Sequence, residues 1–171
     1  SEDSNPSVKF DVEKVAGLYE TGTRTLVESW EQLLSDGDIS VVDGHLQVNK
    51  DLSGDLVFGY LENLTSLEQS FRNCENLKYI DFSNLDISKV TDMSYMLLNC
   101  SNLKGVNLSN LNAENVINMR FMFGRCYNLV DINLKSFLTK NVVDMNGMFN
   151  YCLSLTTLDL SSFNVENVTD M

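Results

Sequence analysis

The chain has few of the residues on which catalysis and nucleic-acid binding usually depend. It contains one histidine, His45, with no Ser or Cys motif near it in the sequence, so nothing indicates a His-dependent catalytic triad. It contains no glycine-rich phosphate loop and no His-Glu-x-x-His zinc motif. Its 12 Lys and Arg residues are outnumbered by 24 Asp and Glu residues, for a net charge of −12 without a basic cluster. We therefore expect no enzyme, no cofactor, no metal and no nucleic-acid partner.

Long apolar segments are also missing. No run of about 18 apolar residues occurs, so the sequence predicts no membrane insertion. No signal peptide is visible either.

The sequence is instead rich in one repeat, which is marked by four cysteines at intervals of 26 residues. Apolar residues recur in the same register between them, and a fixed period of 20–50 residues is typical of stacked repeats. One such unit cannot bury its own apolar face, so stacking must close the core. The four cysteines are Cys74, Cys100, Cys126 and Cys152.

Each repeat contains two patterns. Residues 80–82 alternate apolar and polar, which predicts a short strand that pairs in parallel with its copies. Val90, Met93, Met96, Leu97 and Cys100 follow at spacings that predict a helical face. A residue suited to capping that helix precedes its first turn in every copy. These cap candidates are Ser66, Asp92, Asn118, Asp144 and Asp170.

The expected fold is therefore an α/β solenoid of the leucine-rich-repeat type, with a short parallel strand and a short helix in each repeat. About four repeats are assigned to residues 62–171, the last of them truncated, and a small α+β cap to residues 1–61. Within the cap, apolar spacing around Trp30 predicts a helix that ends near Gly37, with Trp30 as an anchor. Asp43-Gly44 predicts a hairpin turn, and residues 51–58 look like a degenerate first repeat.

The repeats resemble a known family. Residues 77–85 match the strand segment of leucine-rich repeats, although Leu or Phe occupies the usual asparagine position. Residues 144–152 and 158–171 resemble the BspA-like leucine-rich repeats of bacterial surface proteins. The resemblance covers residues 64–171. It implies an extracellular or cell-surface bacterial protein, often attached to the wall, with adhesion to host or matrix components as its function.

The four cysteines are compatible with two arrangements. A zinc site needs every sulfur about 2.3 Å from one ion, whereas cysteines placed once per repeat lie about 4.8 Å apart along the stack, which separates the outer two by about 14 Å. Disulfides between neighbouring repeats fall within the permitted distance, but with an awkward torsion. We expect buried free thiols.

The exposed face of the predicted strands is the candidate binding site. Its polar residues either hydrogen-bond from repeat to repeat or form a concave strip that meets a partner or a cation. The leading function is a non-enzymatic module that binds a protein or a glycan. A structural spacer and a fragment of an enzyme are the alternatives, and the C-terminal repeat is expected to be exposed and able to self-associate. The candidate residues are Tyr79, Asp81, Asn107, Asp131, Asn133, Lys135, Thr157 and Asp159.

Overall fold

A computed structural model describes residues 15–171, and a mixed six-stranded sheet in the order β2-β1-β5-β6-β7-β8 forms its framework. A separate hairpin pairs β3 with β4. The strands are β1 (Gly17–Tyr19), β2 (Leu26–Ser29), β3 (Ile39–Val42), β4 (His45–Val48), β5 (Gly54–Val57), β6 (Leu77–Asp81), β7 (Gly105–Asn107) and β8 (Asp131–Asn133), and helix α1 is Trp30–Ser35.

The repeat register appears directly in the strand pairing. Strands β5 to β8 are parallel, and Ile80 lies opposite Val106, which lies opposite Ile132. All three pairs of successive repeats therefore keep equivalent residues side by side. Strand β1 pairs antiparallel with both β2 and β5 and completes the sheet at its N-terminal end.

The predicted solenoid of strand-plus-helix repeats is wrong. Helix α1 is the only α-helix among residues 15–171, and it precedes the repeats. The segment predicted as helical forms a series of turns instead. In it the N–H groups of Met93, Tyr95 and Leu97 donate to carbonyl groups of the following repeat at 2.8–2.9 Å. These amides cannot also make the i→i−4 bonds of a helix.

Left-handed residues explain why a helix does not form there. Tyr95 has φ 54° and Asn99 has φ 60°, and single residues in this conformation interrupt a right-handed helix. Met93, Met96, Leu97 and Cys100 are nevertheless fully buried, so helix-like apolar spacing arises from successive turns. The equivalent left-handed positions in the other repeats are Gln69, Phe121 and Gly147, and Asn73, Arg125 and Tyr151.

The residues predicted to be helix N-caps have another role. Asp92 Oδ1 accepts the Ser94 N–H at 2.8 Å, which closes an Asx turn. The same column of residues forms isolated parallel bridges from repeat to repeat. The bridged residues are Ser66, Asp92, Asn118, Asp144 and Asp170.

The N-terminal predictions fare better. The hairpin is confirmed, since Asp43 and Gly44 have φ 51° and 79°, as a tight hairpin turn requires. The degenerate first repeat is confirmed by the parallel pairing of β5 with β6. Helix α1 exists, but Leu26 lies in β2 rather than on its face. The first 14 residues of the predicted cap lie outside the described residues.

Trp30 anchors the N-terminal elements to the repeats. Its side chain is 8% exposed, and its ring meets that of Phe58 edge-on with 5.3 Å between centroids. Gly59 leaves room for this ring, because a Cβ there would lie 2.6 Å from Trp30 Nε1.

The prediction of free thiols is confirmed for all four cysteines. Cys100 Sγ donates to the Phe71 carbonyl at 3.1 Å, and Cys126 Sγ donates to the Leu97 carbonyl at 3.3 Å. Each of these bonds joins one repeat to the repeat before it. Burial raises the pKa of Cys74 to about 12 and that of Cys152 to about 11, so both thiols stay protonated at neutral pH.

Candidate functional site

The predicted strand face consists of two rows of side chains that cross β6, β7 and β8. Tyr79, Gly105 and Asp131 lie opposite one another in the first row. The second row contains Asp81, Asn107 and Asn133. Thr157 and Asp159 belong to a segment that forms no strand, so they do not extend either row as a paired β-ladder.

The expectation that this face is exposed is wrong for two of its residues. Tyr79 is 6% exposed and Asn107 is 5% exposed, while Lys135, Thr157 and Asp159 are exposed. The pKa of Tyr79 is raised by burial and then by the negative charges of Asp55 and Asp131. The accessible part of the predicted face therefore lies towards its C-terminal end.

The second row owes its residue types to backbone structure. In each repeat the Asp or Asn side-chain oxygen accepts the N–H two residues further on, which again closes an Asx turn. Asn107 Nδ2 also donates to Asp81 Oδ1 at 3.3 Å. The four Asx pairs are Asp81–Ser83 at 2.9 Å, Asn107–Ser109 at 3.0 Å, Asn133–Lys135 at 3.1 Å and Asp159–Ser161 at 2.9 Å.

The regular ladder between repeats stops at β8. The Phe82 N–H donates to the Asn107 carbonyl, and one repeat later the Leu108 N–H donates to the Asn133 carbonyl, both at 2.9 Å. The equivalent bond from Leu134 to Asp159 is missing from residues 15–171. Residues 157–160 have separated from β8 at this point.

A cavity of about 520 Å³ occupies the gap, and we name it the edge slot. Four of the eight predicted site residues line it: Asp131, Asn133, Lys135 and Asp159. The remaining lining residues are Ile132, Leu134, Ser136, Leu138, Ser161 and Ser162.

Two side-chain hydrogen bonds hold the last repeat in place on either side of the edge slot. Ser154 Oγ donates to the Tyr127 carbonyl at 2.7 Å, and Ser162 Oγ donates to the Leu134 carbonyl at 2.7 Å. The segment between these serines is therefore tethered at both ends. The slot is a gap of limited length rather than an open end of the protein.

The edge slot combines charge with apolar surface. Hydrogen bonds from the Ser161 hydroxyl and N–H lower the pKa of Asp159, so its carboxylate is charged at neutral pH. Lys135 supplies an ammonium group, Asn133 an amide, and Leu138 an apolar side chain that is 40% exposed. Such groups can pair charges, exchange hydrogen bonds and cover apolar ligand surface. Sequence analysis missed Leu138 and Ser162, because the repeat pattern predicted a paired strand where the slot lies.

A separate acidic cluster lies in the N-terminal region. Carboxylate oxygens of Glu28, Asp36 and Asp38 lie within 4.8 Å of one another. Asp36 accepts a hydrogen bond from Gln32, and Asp38 accepts one from Asn49. Sequence analysis did not group these residues, since β2, α1 and the following turn bring them together only in the fold. Exposed acidic groups commonly cluster in this way without an ion.

An aromatic stack lies along the left-handed column. The rings of Tyr95 and Phe121 are parallel with centroids 5.7 Å apart, and the Arg120 guanidinium lies 5.3 Å from the centre of the Phe121 ring. The next residue in the column is Gly147, where a Cβ would lie 2.5 Å from the Phe121 ring. The missing side chain therefore makes room for that ring.

Comparisons with known proteins identify the repeats. Within the described residues, no helix is both long and apolar enough to cross a membrane. No curated protein and no solved structure matches the chain significantly. A family described as "Mycoplasma protein of unknown function, DUF285" matches residues 65–171. Since these residues make up more than half of the 171-residue chain, the protein belongs to the DUF285 family.

Proposed function

We propose that the chain is a non-enzymatic binding module and that the edge slot holds its protein or glycan partner. One observation carries this proposal: the slot, at about 520 Å³, is lined by a carboxylate, an amide and an ammonium group that come from two successive repeats. Pockets that hold ligands usually measure about 300–1,000 Å³ and combine apolar surface with a few placed polar groups.

The proposal includes a biological setting. The repeat unit in residues 144–152 and 158–171 resembles that of BspA-like surface proteins, and the DUF285 match over residues 65–171 is in keeping with such a repeat family. We therefore assign the protein to the bacterial cell surface or exterior, with adhesion to host or matrix components as its role.

The test is binding of the purified chain to an array of matrix proteins and glycans. The informative variant carries Asp131→Asn, Lys135→Met and Asp159→Asn together, which removes the charges of the slot. An Asn at 159 still offers the oxygen that accepts the Ser161 N–H. The variant therefore changes the slot without breaking the Asx turn at 159.

The matched control is Asp92→Asn. It also removes one carboxylate from an Asx turn, but Asp92 belongs to the bridged turn column and does not line the slot. Saturable binding that the triple variant loses and the control keeps supports the proposal. Equal binding by all three proteins would remove the slot from consideration.

A structural spacer is the second candidate, and the contacts between repeats favour it. Asn102 Nδ2 donates to the Glu75 carbonyl at 2.8 Å, and Asn128 Nδ2 donates to the Ser101 carbonyl at 2.7 Å. Such exposed amides stiffen the stack without any ligand. A spacer would bind nothing on the array and would tolerate insertion or deletion of one 26-residue unit, with the melting temperature as the readout.

A further inference from the structure

We infer that the partner of the edge slot is an extended polypeptide segment that adds to the outer edge of β8 as a further strand. This inference rests on the proposed function and specifies its ligand. Addition of a peptide strand to a free sheet edge is a recurrent mode of recognition in which main-chain hydrogen bonds supply affinity and alternate side chains supply specificity.

The backbone of β8 carries the first step of the argument. Strand β8 is the last strand of the six-stranded sheet, with β7 on one side and the edge slot on the other. In the two preceding repeats the N–H of Phe82 and that of Leu108 donate across to the next strand. The same register directs the Leu134 N–H into the slot, where a strand carbonyl would accept it.

The chain's own segment leaves the position open. Leu158 and Leu160 are 37% and 38% exposed, whereas their equivalents Val106 and Leu108 are fully buried. Both leucines lie between the two tethers made by Ser154 and Ser162. An added strand would therefore be covered by apolar side chains on its outer side.

The sheet itself indicates which sequence fits. Each paired strand presents an apolar residue, then Asp or Asn, then an apolar residue, where the central side chain closes an Asx turn and the flanking pair enters the core. An occupant in register with β8 would meet the same surroundings. Its expected chemistry is an extended segment that reads apolar, Asp or Asn, apolar. The three examples are residues 80–82, 106–108 and 132–134.

The probe is a fluorescein-labelled synthetic peptide that copies residues 154–162, titrated with the whole chain and followed by anisotropy. Two further peptides each carry one backbone N-methyl group, at the central Asp or at the Leu before it. N-methylation removes one amide hydrogen and leaves every side chain intact. Because N–H groups of alternate residues face the same neighbour, as in the donors Met93, Tyr95 and Leu97, only one of the two methylated peptides should lose affinity.

We expect saturable binding of the parent peptide, a loss of at least about tenfold for one methylated peptide, and a change of less than about threefold for the other. Equal tolerance of both methyl groups would overturn strand addition, while side-chain binding in the slot, and with it the proposed function, would stand. Failure of the parent peptide to saturate would also overturn it, whatever the array of proteins and glycans shows.

The variant Leu158→Asp addresses the competing occupant, which is the chain's own segment. Leu158 is 37% exposed, so a charge there should leave the fold intact and keep residues 157–160 away from β8. Peptide affinity within about twofold of the parent chain supports an open edge. Binding by this variant alone would mean that residues 157–160 normally close the slot, and the inference would be wrong.

Discussion

Replacement of Asn107 by alanine should destabilise the protein strongly, although the same change one column further along should not. Asn107 is 5% exposed and Ser109 is 8% exposed. The Asn107 side-chain oxygen accepts the Ser109 N–H at 3.0 Å. Alanine removes this acceptor and leaves a buried amide that water does not reach. An orphaned buried donor costs about 1–3 kcal/mol, and the lost bond from Asn107 Nδ2 to Asp81 places the expected loss near the top of that range.

The matched variant is Asp159→Ala. Asp159 holds the equivalent position two repeats later, and its Oδ1 accepts the Ser161 N–H at 2.9 Å. Both of these residues are exposed, so water replaces the lost acceptor. The expected change in unfolding free energy is within about 0.5 kcal/mol, as for most surface substitutions. The two variants thus share residue position and hydrogen-bond geometry and differ in burial.

Urea unfolding at pH 7 measures both changes, followed by circular dichroism for the repeats and by Trp30 fluorescence for the N-terminal region. Coincident transitions are needed before the two midpoints are converted to free energies. The peptide and array experiments are run on the same variants. If the two alanine variants lose stability equally, or if Asn107→Ala costs less than about 0.5 kcal/mol, the structural role assigned to the second row is wrong.

Further predictions concern stability and assembly. Burial keeps the Cys74 pKa near 12 against an ordinary value of 9.0; the unfolded chain releases this proton first, so stability is complete below pH 9 and falls by about 1.4 kcal/mol per pH unit above it, up to about pH 12. Urea midpoints of Cys74→Ala should therefore fall less steeply with pH than those of the parent. Gly147→Ala should cost about 1–2 kcal/mol, because its φ of 64° disfavours a side chain and a Cβ meets the Phe121 ring, and adding Phe121→Ala should make the double variant less destabilised than the sum of the singles. Glu28→Gln should raise stability by about 0.5 kcal/mol at low salt by relieving repulsion in the acidic cluster, and a gain that does not shrink in 1 M NaCl would contradict this cause. Self-association through the C-terminal repeat stays a prediction, which sedimentation velocity at increasing concentration checks.

The strand register could be predicted from sequence because residue 80 and its copies alternate apolar and polar at a constant 26-residue interval. Parallel pairing places equivalent residues side by side, so the interval fixes the register, and Ile80, Val106 and Ile132 are aligned as expected.

The helix failed because spacings of three and four residues do not distinguish a helix from a series of turns that points its side chains the same way. Asn73 and Asn99 gave a usable signal, since Asn tolerates the left-handed conformation. Tyr95 and Phe121 adopt the same conformation with no such signal, and contacts between repeats must hold them there.

The candidate site was predicted in its residues but not in its shape. Lys135 and Asp159 follow from the repeat pattern, and the structure brings them to one cavity. The same pattern predicts a strand at residues 157–160, so no reading of these residues alone could reveal that the segment separates from β8. That separation depends on what covers the last repeat, which is a property of packing rather than of the local sequence.

The edge slot suits recognition because the ladder ends there. Within the stack, a polar residue such as Asn107 is buried, and its oxygen and nitrogen both serve the backbone or the neighbouring repeat. A partner could engage it only by breaking these bonds at the cost already estimated. At β8 the same position in the next repeats is half-buried Asn133 and exposed Asp159, so a partner meets polar groups that water already reaches. A partner can therefore exchange water for its own groups at the edge without unfolding the stack, which is why the variants that separate binding from stability all lie in the slot.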